Sequence, residues 1–204
     1  MNTAPTRNAL PRPVLFGVAS LLTAFLVAAI GAYIWLGAAG DGAGAIGGPF
    51  TLIDGDGKAV SDSQFRGRYM LVYFGYTFCP DVCPTTLTAV AQAMDKLGPD
   101  AGRVQPIFIT VDPQRDTPSV MKQYVEAFSP RLIGLTGSPG AITQVAREYK
   151  VYYAIHRTSG DNGAYTVDHS SILYLMGPDG RFITPIPADA TPEVMASDIH
   201  QHVG

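Results

Sequence analysis

The segment that most constrains the fold is YMLVYFGY at residues 69–76, a continuous run of apolar and aromatic side chains. A strand with one solvated face alternates apolar and polar side chains, so an unbroken run predicts a strand that is buried on both faces. RVQPIFITV at residues 103–111 predicts a second buried strand. Residues 84–97, between the two runs, place apolar side chains at helical spacing. The order of strand, helix and strand predicts an α/β domain.

Three further helices are predicted by the same short signal, a Thr or Ser followed at once by Pro. The hydroxyl can accept a free N–H group of the first turn, and Pro is favoured at the first helical position. Strand patterns lie around these helices, and a Pro-Asp-Gly turn joins the last two strands. Together the elements predict a central mixed sheet with helices on both faces. The three signals are Thr117 with Pro118, Ser138 with Pro139, and Thr191 with Pro192.

Residues 14–36 form a stretch without any charged side chain. As a helix they would extend about 35 Å, enough to cross a hydrocarbon core of about 30 Å. Arg7 and Arg12 precede the stretch and no acidic residue occurs among the first 40, which predicts a cytoplasmic tail and an exported domain by the positive-inside rule. We therefore predict a single N-terminal transmembrane helix. The alternative is a cleaved signal peptide, because small residues suited to a peptidase follow the stretch.

Residues 37–48, GAAGDGAGAIGG, consist almost entirely of Gly and Ala. Such a composition leaves little side chain to bury, which predicts a flexible linker. We divide the chain accordingly into an N-terminal tail and anchor (residues 1–36), the linker, and a working domain (residues 49–204). The chain has a formal net charge of −3 and no basic cluster, so its composition does not favour binding to nucleic acid.

The only two cysteines, Cys79 and Cys83, follow directly after the first buried strand. Pro84 is best tolerated in a first helical turn, so the helix should begin there, and its N-terminus should favour the thiolate form of both cysteines. Ligands of open α/β sheets collect at the carboxyl ends of strands. The pair could form a structural disulfide, exchange electrons or bind a metal. A disulfide across so short a loop would stabilise the domain little.

Four histidines could supply a third ligand. His200 and His202 lie near the end of the chain, and His156 ends an apolar stretch without an evident partner. His169 lies in YTVDHSSILYLM, in a predicted turn before a buried strand, and can reach the sheet edge that carries the cysteines. Two thiolates and one imidazole suit copper, which accepts three soft ligands as Cu(I). Zinc would need a fourth ligand, and no HExxH motif or second cysteine pair is present.

Three stretches occur in order after the predicted membrane anchor: FGYTFCPDVCP at residues 74–84, TVDPQRDTP at residues 110–118 and YTVDHS at residues 165–170. Together they resemble the SCO (SenC) family of copper chaperones. The resemblance covers residues 49–204. It implies a thioredoxin-like fold that is tethered to the bacterial inner membrane and faces the periplasm, or the equivalent position in the mitochondrial intermembrane space.

The resemblance also implies a ligand set and a function. One copper ion, as Cu(I), Cu(II) or both, would be bound by Cys79, Cys83 and His169. The protein would be a metallochaperone that helps assemble the dinuclear copper site of cytochrome c oxidase subunit II. Asp168 is predicted either to orient His169 or to bond its own backbone in a turn. Asp112, in the second stretch, is predicted either to act on the site electrostatically or to have only a turn role, which the adjacent Pro113 equally suggests.

A second function remains open, that of a thiol-disulfide reductase which keeps the target cysteines of the oxidase subunit reduced. Cys79 and Cys83 would then be the redox-active pair, and the partners would include another periplasmic copper chaperone or a thioredoxin-like reductant. The segment before SSILYLM lacks the proline that general thioredoxins carry there and has His169 instead, which favours the metal. Peroxidase chemistry is less favoured, because it needs one activated cysteine more than a pair. We therefore expect a metal carrier rather than an enzyme.

Overall fold

The computed structural model describes residues 22–32, 46–157 and 165–204. Residues 22–32 form a helix, α1, whose side chains are exposed. The other positions of the predicted anchor, 14–21 and 33–36, and all but the last three of the predicted linker lie outside the described residues. Within the described part of the chain, no helix combines the length and the apolar character that a membrane crossing requires.

The described strands form two sheets. They are β1 (Thr51–Asp54), β2 (Ala59–Ser61), β3 (Tyr69–Gly75), β4 (Val104–Thr110), β5 (Ile133–Thr136), β6 (Tyr153–Arg157), β7 (Tyr165–His169), β8 (Ile172–Met176) and β9 (Phe182–Pro187). The larger sheet is mixed and has the order β2-β1-β5-β4-β3-β8-β9. Strands β3, β4 and β5 are parallel to one another, and β8 is antiparallel to β3. The prediction of a central mixed sheet is confirmed, but β6 and β7 form a separate antiparallel pair.

Three of the helices in this part of the chain begin where the sequence signals predicted. Each hydroxyl of the three predicted caps accepts a hydrogen bond from the backbone N–H three residues later, at 3.2 to 3.4 Å. The capped helices each start at the predicted Pro, which confirms the pattern. The four helices are α2 (Val82–Leu97), α3 (Pro118–Glu126), α4 (Pro139–Glu148) and α5 (Pro192–Val203).

Helix α2 begins at Val82, two residues before the predicted start at Pro84. The N–H groups of the first turn have no acceptor within the helix, so a Pro at the third position removes no hydrogen bond. Cys83 therefore lies inside the first turn instead of at the cap. Its side chain points into the core and is fully buried.

Strand β3 is buried on both faces, as its unbroken apolar run predicts. Leu71 and Tyr73 belong to the core under α2 and α5, whereas Val72 and Phe74 belong to the core under α4. Successive side chains of a strand point to opposite faces, so a single run supplies both cores. Each such large side chain contributes about 1.5–3 kcal/mol on full burial. The carboxyl end of β3 is consequently a rigid platform for the loop that follows.

The buried residue Asp116 connects the carboxyl ends of three parallel strands through its carboxylate and its backbone carbonyl. It accepts hydrogen bonds from the backbone N–H of Thr77 at 3.0 Å, from the Thr77 hydroxyl at 2.6 Å and from the Thr110 hydroxyl at 2.6 Å. Its backbone carbonyl accepts from the Thr136 hydroxyl at 2.7 Å. These residues follow or end β3, β4 and β5. Asp116 thus fixes the loop that leads from β3 towards the cysteines.

We expect Asp116→Ala to lower the free energy of unfolding by roughly 3 kcal/mol, because buried donors lose their acceptor. Asp116→Asn should cost only about 1 kcal/mol, since the amide oxygen still accepts and a hydroxyl can turn to accept from the amide nitrogen. Urea denaturation of the reduced protein measures both changes. Equal midpoints for the two variants would contradict the assignment.

The same carboxylate should make stability depend on pH. Burial raises the pKa of Asp116, and the hydrogen bonds from Thr110 and Thr77 oppose part of that increase. The folded protein then binds this proton more tightly than the unfolded chain does. The resulting stabilisation is complete below the ordinary pKa near 4 and is lost as the pH rises through the raised folded pKa. Asp116→Asn, which cannot ionise, should remove this slope from denaturation midpoints measured between about pH 3 and 7.

Candidate metal centre

Cys79, Cys83 and His169 come together at the carboxyl end of β3. Their sulfur atoms and one imidazole nitrogen all lie within 4.8 Å of one another. The sulfur of Cys83 is 3.4 Å from Nε2 of His169, and the backbone N–H of Cys83 donates to the sulfur of Cys79 at 3.4 Å. Among the residues that the structure describes, no other three groups of this kind are as close.

The two cysteines occupy different environments. Cys79 lies in the turn after β3 and is half-buried, whereas Cys83 is fully buried in the first turn of α2. Burial raises the pKa of the Cys83 thiol, and a backbone hydrogen bond of Tyr76 opposes the shift. The sequence predicted that the helix N-terminus would favour thiolate, but for Cys83 desolvation is the larger effect. A cation at the sulfurs would reverse this balance, because coordination deprotonates a thiol.

Gly75 allows Cys83 to approach the end of β3. A β-carbon added at Gly75 would lie 2.6 Å from the sulfur of Cys83 and 2.8 Å from Cε2 of Phe108. No side chain fits at those distances without moving one of these groups. The position of the sulfur therefore requires a glycine at the end of β3. A glycine inside a strand often marks such a close approach.

His169 is the last residue of β7, and its hydrogen bond to the backbone sets which nitrogen faces the sulfurs. Its Nδ1 lies 3.1 Å from the carbonyl oxygen of Ser170. A carbonyl only accepts, so Nδ1 carries the proton and Nε2 presents its lone pair to Cys83. Burial lowers the pKa of His169, while the Ser170 carbonyl and Asp168 oppose the shift. The imidazole is therefore held in the neutral form that binds metals.

Two tyrosines form the walls around the imidazole. The rings of Tyr73 and Tyr76 each lie with their centroids 6.0 Å from that of His169, in edge-on arrangements. The hydroxyl of Tyr73 also reaches the sulfur of Cys83 at 4.0 Å. Both tyrosines are nearly inaccessible to solvent, so they exclude water from one side of the cluster.

Asp168 does not supply the hydrogen bond that orients His169. Its carboxylate lies 2.9 Å from Nε2 of His156, and its side chain is 68% exposed. The sequence placed His169 in a turn, but the residue ends a strand, and neighbours on a strand point to opposite faces. Ser170 supplies the orienting bond instead, and Asp168 acts on His169 only through its charge.

Asp112 is buried, and its carboxylate is bound by Arg115 and Tyr165. It accepts hydrogen bonds from Nε of Arg115 and, at 2.7 Å, from the hydroxyl of Tyr165. His200 is not part of the cluster, and Nδ1 of its imidazole lies 3.1 Å from the carboxylate of Asp100. Sequence reasoning did not single out Arg115 or Tyr165, and nothing in the stretch DPQRDTP signals an arginine between aromatic rings.

The cluster offers two sulfurs and one neutral nitrogen in a largely desolvated position. Soft donors of this kind bind soft or borderline metal ions in preference to hard ones. A central mixed sheet with helices on both faces and this cluster at its carboxyl edge define a thioredoxin-like protein with a candidate centre for a soft metal. The sequence model of the SCO1/SenC family matches residues 38–204, and the chain belongs to this family. The resemblance drawn from the three sequence stretches is thereby confirmed.

Similar proteins are known from sequence and from structure. The chain is 49% identical over 143 residues to the mitochondrial protein SCO1 homolog 1 of Arabidopsis thaliana, a match that covers 70% of this chain and 42% of that protein. The chain thus corresponds to less than half the length of this relative. The structure of Bradyrhizobium japonicum ScoI with copper bound is 48% identical, with a TM-score of 0.71, and the match covers 77% of this chain and 99% of ScoI.

A third similar protein carries information on redox chemistry. A structure of BsSco is 29% identical, with a TM-score of 0.61, over 78% of this chain and 92% of BsSco. BsSco is described as having a disulfide switch and as a member of the Sco family of cytochrome c oxidase assembly proteins.

We expect Gly75→Ala to displace the sulfur of Cys83 and to destabilise the protein by about 1–3 kcal/mol through overpacking. The reduced variant should also react faster with iodoacetamide at Cys83, because the displaced sulfur loses burial. Gly102→Ala is the matched control, since a β-carbon there would meet no atom within 4 Å. If the two variants unfold at the same urea concentration, the proposed need for glycine at position 75 is wrong.

Proposed function

We propose that this protein is a copper metallochaperone that binds one copper ion through Cys79, Cys83 and His169. The observation that carries the proposal is the convergence of these three ligand atoms within 4.8 Å. Two thiolates and a neutral imidazole are donors that suit Cu(I), and the imidazole also supports Cu(II). The copper-bound structure of the 48% identical ScoI supports the choice of metal.

The difference in exposure between the two cysteines suits the release of the ion to a partner. Cys83 holds the ion from the core side, whereas the half-buried Cys79 is open to an approaching ligand. The copper ion is cargo, and it leaves as donor atoms of the target replace those of the protein. The target we propose is the dinuclear copper site of cytochrome c oxidase subunit II. The description of BsSco as one of the cytochrome c oxidase assembly proteins supports an oxidase target.

The place of action that we propose is the outer face of the bacterial inner membrane, or the equivalent face of the mitochondrial inner membrane. The uncharged stretch at residues 14–36 would serve as a single-pass anchor, with Arg7 and Arg12 on the cytoplasmic side. Residues 37–48 would link it to a copper-binding domain at residues 49–204. A further copper chaperone or a thioredoxin-like reductant in the same compartment would load the site or keep it reduced.

The reduced protein should bind Cu(I) stoichiometrically in the presence of a competing chelator, and the double variant Cys79→Ser/Cys83→Ser should not. His169→Ala should weaken Cu(II) binding at least tenfold, since even the loss of a residue that only supports a ligand costs about 10–100-fold. His200→Ala removes an imidazole that is separate from the cluster and is the matched control. The proposal is wrong if the double cysteine variant and His169→Ala both bind copper as tightly as the parent protein.

A thiol-disulfide reductase is the second candidate, and the asymmetry of the cysteines favours it specifically. Both are free thiols. Cys79 is the more exposed and accepts the N–H of Cys83, which suits it to attack a target disulfide, and the buried Cys83 can then resolve the mixed disulfide. The two thiols would lose two electrons and two protons and form an internal disulfide, while the target disulfide becomes two thiols. The disulfide switch of BsSco supports this chemistry.

The reduction potential of the pair should separate the two functions. A protein that serves chiefly as a reductant should have a potential of about −300 mV or lower, because its thiols must give up electrons readily. Equilibration with glutathione and dithiothreitol buffers, followed by thiol labelling, gives the value. A potential near that of an oxidising isomerase, about −180 mV, would exclude the reductant role and leave copper transfer.

A further inference from the structure

Strand β7, which carries His169, is attached to the body of the protein by side chains instead of by a neighbouring strand of the large sheet. Among the strands that the structure describes, its backbone pairs only with β6, on one edge. On the other edge, Nη1 of Arg115 donates to the carbonyl of Tyr165 at 3.1 Å. Two residues further, the N–H of Val167 donates to the hydroxyl of Tyr76 at 3.5 Å. These side chains occupy the places that the backbone of a third strand would take.

His169 lies two residues beyond Val167 on the same strand. Alternate residues of a strand share a face, so Tyr165, Val167 and His169 lie on one side of β7. Val167 is buried, and the imidazole of His169 lies 3.4 Å from the sulfur of Cys83. The position of the imidazole therefore depends on where the two preceding contacts hold the strand.

Arg115 is the centre of these contacts. Its Nε donates to the buried carboxylate of Asp112, and that carboxylate also accepts from the hydroxyl of Tyr165 at 2.7 Å. The guanidinium carbon lies 3.7 Å from the ring centroid of Tyr165, 4.7 Å from that of Phe78 and 5.6 Å from that of Tyr76. The group thus joins the loop after β4, the loop after β3 and strand β7.

Only an arginine can make this set of contacts. A guanidinium is planar, stacks on aromatic faces and donates hydrogen bonds in several fixed directions at once. A lysine ammonium at this position could keep the ion pair with Asp112, but it has neither the flat surface nor the second fixed donor for the Tyr165 carbonyl. The contacts therefore hold β7 by shape as well as by charge.

We propose that Arg115, together with Tyr76, is a positioning residue that fixes β7 against the body and so sets His169 beside the sulfurs before any metal is bound. The cysteines also have supports that do not involve Arg115, namely Gly75 and the loop fixed by Asp116. Loss of Arg115 should accordingly affect the position of the imidazole more than that of the thiol pair. The exchange experiment below is independent of the proposed function, whereas the copper experiment rests on it.

The first test needs no metal. In the reduced protein, Arg115→Gln and Tyr76→Phe should each accelerate hydrogen exchange at the amide of Val167 by about tenfold or more, measured by NMR, because the local opening of β7 becomes easier. The amide of Tyr73, inside the large sheet, should exchange at the parent rate. Arg181→Gln, which alters an arginine that is 87% exposed, is the matched control. Arg115→Lys should behave like Arg115→Gln.

Unchanged exchange at Val167 in Arg115→Gln overturns the proposal, provided that exchange at Tyr73 shows an intact sheet. If Arg115→Gln fails to fold, Tyr76→Phe decides, since it removes only the acceptor of the Val167 N–H. Parent-like exchange at Val167 in that variant also overturns the proposal.

The second test is a double-mutant cycle with Cu(II) as the probe. Arg115→Gln should weaken Cu(II) binding by about tenfold in the parent, as the loss of a supporting residue typically does. In a His169→Ala background the same substitution should change the affinity by less than about twofold, because the residue acts through an imidazole that is no longer there. Equal weakening in both backgrounds would show a general structural effect and overturn the proposal. If the parent binds no copper, the proposed function fails, and the exchange experiment alone decides the role of Arg115.

Discussion

The burial of Cys83 against the end of β3 is the interaction on which the rest of the site depends. The sulfur can reach this position because Gly75 has no side chain and because α2 starts early enough to turn Cys83 inward. Burial disfavours the thiolate, so the apo site holds a neutral sulfur in the core. Binding of a soft cation would then release a proton, which couples metal binding to the ionisation of this buried group.

The large sheet and its helices could be predicted from the sequence because their signals are local. An unbroken apolar run such as YMLVYFGY requires burial on both faces, and a hydroxyl followed by Pro defines a helix start at Thr117, Ser138 and Thr191. The separate pairing of β6 with β7 could not be predicted, because the sheet that a strand joins depends on contacts between distant segments. The alternation in YTVDH is visible in the sequence, but the polar residues that follow it suggested a turn.

The sequence predicted which residues supply the candidate ligand atoms, but it did not predict the hydrogen bonds and ring contacts that hold these residues in place. Cys79, Cys83 and His169 are the residue types that bind soft metals, and they follow or precede buried strands. The groups that hold them are less visible. Asp168 is next to His169 in sequence but on the opposite face of β7, while Ser170 and Arg115 act through backbone atoms and aromatic faces. Such contacts depend on geometry that the order of residue types does not encode.

The three donors belong to two parts of the molecule that are not joined by a common sheet. Both sulfurs are fixed to the large sheet and α2, whereas the imidazole is on a two-stranded arm that is held by side chains. An ion held by all three donors would therefore take two ligands from one sheet and its connected helix and the third from the other sheet. A change in the position of β7 alone would act on the imidazole and leave the two thiolates as they are.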